Sequence, residues 1–87
     1  MRKHYTNIMK AFFCEKIFRR RVNLDISQEE MAHRLLMACR TYVDLEHGKT
    51  CCSALTLALF LIYLCADPLA FLEELQNVFE NSDKSAA

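Results

Sequence analysis

With 87 residues, 53% of them apolar, and eleven cationic against eleven anionic side chains, the chain reads as one small domain of zero formal charge. A single Gly and a single Pro in so apolar a sequence argue for helices with tight connections and exclude a disordered polar chain. Five cysteines (Cys14, Cys39, Cys51, Cys52, Cys65) form no C-x-x-C pair and are odd in number, which excludes a zinc ribbon and a complete disulfide framework and points to a reducing cytoplasm.

Tyr5, Ile8, Met9, Phe12, Phe13 and Ile17 recur at helical spacing and predict a first helix, closed by Arg19, Arg20 and Arg21 near its negative dipole end. The plain expectation for these arginines is a solvated face, with Arg19 paired to a carboxylate within the domain. Arg2, Lys3 and His4 are basic, but Lys10, Glu15 and Lys16 interrupt any apolar run that would serve as a signal-peptide core, so export is not expected. Residues 23–26 form a loop. Ser27 with Glu30 three positions later is a capping box, which starts a second helix at Gln28 and carries it to residue 35, with Met31, Ala32 and Leu35 inward. A third helix covers roughly 39–46, with Tyr42 and Leu45 inward, and ends before Gly48, which suits a left-handed C-cap. Ser53 caps a fourth helix over residues 54–65; Asp67 and Pro68 then supply N-cap and first position of a fifth, running to about Glu80. Residues 81–87 are small and polar and are expected to fray. The expected fold is therefore all-α, a compact five-helix single domain over 1–87 with its core between about 5 and 80. A core this thin makes oligomerisation favourable.

The stretch Ser27 to Lys49 resembles the DNA-binding domain of the lambdoid phage repressor and Cro-like (XRE) superfamily. In that family S-Q-x-x-L-A, a central turn, and an alcohol ahead of I-x-x-L/I-E-x-G-K recur at this spacing. Here the matching residues are Ser27, Gln28, Met31, Ala32, Thr41, Tyr42, Leu45, Glu46, Gly48 and Lys49, without a gap. The resemblance extends over roughly residues 5 to 80 and implies a helix-turn-helix at the second and third helices. It implies a sequence-specific double-stranded-DNA-binding transcriptional regulator, repressor-like, working as a homodimer in the cytoplasm on the nucleoid. Several residues depart from the pattern: Cys39 and Val43 make the outer surface of the third helix less polar than in a standard DNA reader, and two others bear on the turn. Leu36 stands where the family most often has glycine, and a positive φ there would cost about 1–2 kcal/mol. Ala38 replaces the usual N-cap alcohol of the third helix, a loss of roughly 1 kcal/mol.

Geometry then assigns expected roles. Cys39, Arg40, Thr41 and Asp44 lie on the outward face of the third helix and are the base-contact candidates. Arg40 leads them, because a guanidinium pairs bidentately with guanine O6 and N7. Gln28 sits at a helix start, where free N–H groups and an amide face a phosphate. His47, Lys49 and Thr50 match positions that hold the DNA backbone in the resembled family, so the resemblance adds them to Gln28 as backbone-contact candidates. Residues 1–50 hold ten Lys/Arg against six Asp/Glu, and residues 51–87 one against five, so the basic end carries the motif. Positive charge there supplies phosphate attraction by counterion release.

The fourth helix, SALTLALFLIYLC, is apolar nearly all round yet short of the ~20 residues a bilayer needs, so no membrane partner is expected. Leu57, Phe60 and Tyr63 are its candidate contacts. Either the long N-terminal helix covers this second face, or a second subunit or other protein partner does. A protein-interaction module on the same fold, without specific DNA reading, is thus the alternative function, and an antitoxin of this fold would combine both surfaces. No glycine-rich phosphate loop, carboxylate dyad or nucleophile triad is present, and His33 and His47 stand apart from metal-ligand spacing; no enzyme, cofactor or metal is expected.

Overall fold

The computed structural model describes the backbone of residues 2–86 and the side chains of residues 2–82. Five helices follow in order: α1 (Arg2–Leu24), α2 (Gln28–Arg34), α3 (Cys39–Glu46), α4 (Ala54–Leu59, continued by a wider π turn over Phe60–Leu64) and α5 (Pro68–Ala86). No strand occurs among the described residues.

α1 is long because its apolar stripe is long. Phe13 and Ile17 enter the core, while Tyr5 and Phe12 meet Phe79 and Phe71 of α5 with ring centroids 5.0 and 5.2 Å apart. The start of α1 meets the end of α5 through His4 and Ser82, and its later turns meet earlier ones through Lys16 and Glu74, so the two helices run antiparallel. The contacts of this pairing reach Ser82, and the backbone of α5 is helical to Ala86, beyond the expected end near Glu80; Ala87 lies outside the described residues.

α1, α2 and α3 end alike. After α1, Asp25 and Ile26 donate to the carbonyls of Val22 and Arg21; after α2, Leu36 and Met37 donate to His33 and Ala32; after α3, Gly48 and Lys49 donate to Leu45 and Asp44. Each is a Schellman closure with a left-handed residue outside the helix. The φ values of Asp25, Leu36 and Gly48 are +56°, +57° and +74°. Only the third site carries glycine, and Leu36 holds the strained conformation anticipated for it. The helix starts differ more. Ser27, Ser53 and Asp67 cap α2, α4 and α5 by accepting from the N–H groups of Glu30, Thr56 and Ala70, whereas Ala38 gives α3 no side-chain cap. The Glu30 side chain departs from the capping box: its carboxylate accepts from Arg34 within α2.

The core joins Met31, Ala32 and Leu35 to Tyr42 and Leu45, and closes over Phe13, Ile17, Phe60, Leu64 and Phe71. Ala32, buried in this cluster, is small enough for a close helix crossing. Phe60 stacks edge-on to Phe13 at 5.3 Å and lies 5.7 Å from Phe71. The π turn, closed by Cys65 N–H on the Phe60 carbonyl, keeps Phe60 and Leu64 inside while Ile62 and Tyr63 stand 69% and 75% exposed. Arg20 Nε caps the turn by donating to the Leu64 carbonyl.

Candidate nucleic-acid interface

α3 is fastened to the domain through its inward carboxylate. Glu46 is buried, and a buried carboxylate needs compensating charge and hydrogen bonds. Arg21 of α1 supplies both, with Nε donating to Oε2 at 2.8 Å and Nη2 to Oε1 at 3.0 Å. The Tyr42 hydroxyl donates to Oε2, and the Gln28 amide donates to Oε1 at 3.1 Å. Arg21 Nη1 also reaches the Ile26 carbonyl, tying the loop before α2 into the same network. Burial by itself pushes the Glu46 carboxyl upward; the hydrogen bonds from Arg21, Tyr42 and Gln28 outweigh it and hold the group below its usual value. Burial, then the hydrogen bond to Glu46, pushes the Tyr42 phenol in the opposite direction, well above its ordinary value.

This network corrects one expectation and bears on another. The arginine run is not a uniformly solvated face: Arg19 pairs with Glu15 on the surface, Arg20 caps the π turn and Arg21 grips Glu46. Gln28, expected to offer its amide to a phosphate, directs one of its two amide N–H groups to Glu46 Oε1. A sequence signal for the network lies in Tyr42 and Glu46, one helical turn apart and both on the inward face. An inward glutamate demands a cation, and Arg21 answers it.

The outward side of α3 presents Arg40 and Thr41, both exposed. Arg40 forms no ion pair among the described residues. Cys39 is half-buried and packs against the core, and Asp44 is half-buried as well, so of the base-contact candidates these two are the less available. His47, Lys49 and Thr50 are exposed just beyond α3. Gly48 brings that segment against α1: a Cβ there would lie 3.3 Å from Cys14 Sγ and 4.0 Å from the Lys10 carbonyl. Lys10 and Lys49 therefore belong to adjoining segments. Arg2, Lys3, Lys10, Arg40 and Lys49 carry no carboxylate partner among the described residues, whereas Lys16, Arg19, Arg21 and Arg34 are each paired.

The apolar candidates divide. Phe60 is 2% exposed and belongs to the core, which removes it from any interface, and Leu57 is half-buried against the same core. Tyr63 is exposed, as are its neighbour Ile62 and, at the start of α4, Leu55 at 66%. The sequence does not single out these last two, although helical spacing places both away from the buried side formed by Thr56, Phe60 and Leu64.

One further feature adjoins α3. Thr41 lines a cleft of about 230 Å³ with Met37, Leu45, Thr50, Cys51, Cys52, Ser53 and Thr56. All five cysteines are free thiols, and burial, followed by the charge of Cys51, pushes the Cys52 thiol up to about 11. Among the described residues no three His, Cys, Asp or Glu side chains come together as for a metal, and no helix is long and apolar enough to cross a membrane. No protein-family model matches the chain, and no characterised protein or solved structure is significantly similar to it.

Proposed function

We propose that the chain is a sequence-specific double-stranded-DNA-binding transcriptional regulator, acting as a repressor-like dimer, with α2 and α3 as its helix-turn-helix. The observation that carries this reading is the two-sidedness of α3. Its inward face is immobilised by the Arg21–Glu46–Tyr42 network, while Arg40 and Thr41 stand outward and exposed. A reading helix needs both: rigid seating, so that side chains arrive in register, and donors not already spent inside the protein. The α3 start has no side-chain cap, which leaves its first N–H groups available to a phosphate. Lys49 and Lys10, on adjoining segments and without carboxylate partners among the described residues, supply the sequence-independent attraction. The resemblance of Ser27 to Lys49 to the repressor and Cro-like pattern supports the same reading. A twofold dimer would place two α3 helices in successive major grooves about one helical turn apart.

The exposed Leu55, Ile62 and Tyr63 favour a second reading, a protein-interaction module in which this surface binds a partner and α3 reads nothing. On the first reading the same surface closes the dimer. Duplex binding measured by fluorescence anisotropy against salt separates the two. DNA reading predicts a logarithmic affinity that falls steeply with salt, and a slope shallower by roughly 0.9 for each phosphate that a variant such as Lys49→Ala no longer neutralises. Salt-independent or absent binding by the folded protein, with Tyr63→Asp abolishing association with a protein partner, favours the second reading.

A further inference from the structure

The cleft against Thr41 holds chemistry that a DNA-reading surface does not use. Cys51 and Cys52 lie side by side ahead of α4, and both line this space together with Met37 from the turn that precedes α3. Three sulfur-bearing side chains thus share one cleft. Its remaining lining is the aliphatic Leu45 and the hydroxyl residues Thr41, Thr50, Ser53 and Thr56; no carboxylate, imidazole or amine lines it. Neither cysteine forms a disulfide, and Cys51 is exposed while Cys52 is half-buried, which gives an approaching ion a way in and an inner ligand to end on. Residues 51–53 belong to no helix, so both side chains can turn toward a common ion without unwinding one.

Such a donor set discriminates sharply. Magnesium and calcium need several oxygen anions, and structural zinc needs four nitrogen or sulfur ligands. Thiolate and thioether sulfurs without nitrogen or carboxylate suit a soft cation of low coordination number. We propose that Cys51, Cys52 and Met37 form a binding site for Cu(I) in the cleft beside Thr41. Both thiols would release their protons as the ion enters: one Cu(I) and two S–H groups give a dithiolate complex of net charge −1 and two protons to solvent. The Met37 thioether adds a neutral third donor, and no atom changes oxidation state. A bound ion would bridge the turn before α3 to the connection after it, clamping that helix at both ends. The site stands independently of whether α3 reads DNA.

The test is an anaerobic titration of the reduced protein with Cu(I) against the chromogenic chelator bathocuproine disulfonate, following ultraviolet thiolate-to-copper absorption. The expected result is an endpoint at one ion per chain. Cys51→Ser and Cys52→Ser each lose it, and Cys65→Ser leaves it unchanged. Met37→Leu, close in volume, keeps the endpoint but yields the ion to a roughly tenfold lower chelator concentration. Circular dichroism establishes that each variant remains helical. No endpoint in the wild type, a full equivalent retained by the Cys51→Ser/Cys52→Ser double variant, or a Met37→Leu curve superimposed on the wild type would overturn the site.

Discussion

Arg21 meets Glu46 side-on, Nε on one carboxylate oxygen at 2.8 Å and Nη2 on the other at 3.0 Å, and so joins α1 to the inward face of α3. The pair is largely withdrawn from water, with Glu46 4% and Arg21 17% exposed in their side chains. Removing one partner of such a pair leaves an uncompensated charge. Glu46→Ala is therefore expected to lower unfolding free energy by about 3–5 kcal/mol in urea denaturation. The triple variant Arg21→Met/Glu46→Leu/Tyr42→Phe, which removes the charges and the phenol together, is expected to recover most of that loss. Equal destabilisation of single and triple variants would mean that packing, and not uncompensated charge, dominates here.

The same network sets the pH response. The Glu46 carboxyl titrates below 4.5, its ordinary value, in the folded chain, so its contribution is present above that value and is lost as pH falls through the folded pKa. The Tyr42 phenol is raised above its ordinary 10.0, so the folded state keeps a proton that the unfolded chain releases, and stability declines as pH rises past 10. Urea midpoints across pH are expected to show both flanks. Glu46→Gln is expected to flatten the acid flank and Tyr42→Phe the alkaline one; an acid flank unchanged in Glu46→Gln would place its origin in other carboxylates.

Leu36 occupies a left-handed position at φ +57° with its side chain 76% exposed, so it is strained without a packing return. Leu36→Gly is expected to stabilise by about 0.5–1 kcal/mol, after the greater freedom of glycine in the unfolded chain is set against the relief. Ala38→Ser, which supplies the missing α3 cap, should add about 1 kcal/mol. Together the two changes should raise the thermal midpoint by roughly 4–8 °C for each kcal/mol gained in a domain of this size. A fall in the midpoint of Leu36→Gly would show that the packing of the leucine outweighs its strain.

Gly48 presents the converse case. Its φ of +74° disfavours any side chain, and an added Cβ would stand 3.3 Å from Cys14 Sγ, a tight approach. Gly48→Ala is expected to cost about 1–2 kcal/mol. Cys14→Ala in that background removes the crowding while the backbone penalty remains, so only part of the loss should return. Complete recovery in the thermal midpoint would assign the whole effect to the thiol.

Much of this architecture is legible in local chemistry. Ser27, Ser53 and Asp67 announce helix starts because a capping oxygen acts within one turn, and Gly48 announces a helix end because its conformation is local too. Leu36 is legible as strain for the same reason. Partnerships between distant segments are not. Nothing within a few residues of Arg21 distinguishes it from Arg19, yet one is buried on Glu46 and the other is solvated, because only the crossing of α1 and α3 tells them apart. Phe60 reads as an interface residue in the sequence because α4 is apolar nearly all round, so no polar face marks its inward side; packing on Phe13 and Phe71, both distant in sequence, decides it.

The decisive experiment is selection from randomised duplex DNA at near-physiological salt, with wild type and Arg40→Ala run in parallel. Specific reading by α3 of a dimer predicts enrichment of a palindromic motif whose half-sites lie about one helical turn apart. In Arg40→Ala one position of each half-site should relax, with a loss of about 1–3 kcal/mol in discrimination. Failure of the folded wild type to enrich any sequence, or the same motif at full strength in Arg40→Ala, would rule out base reading by this helix.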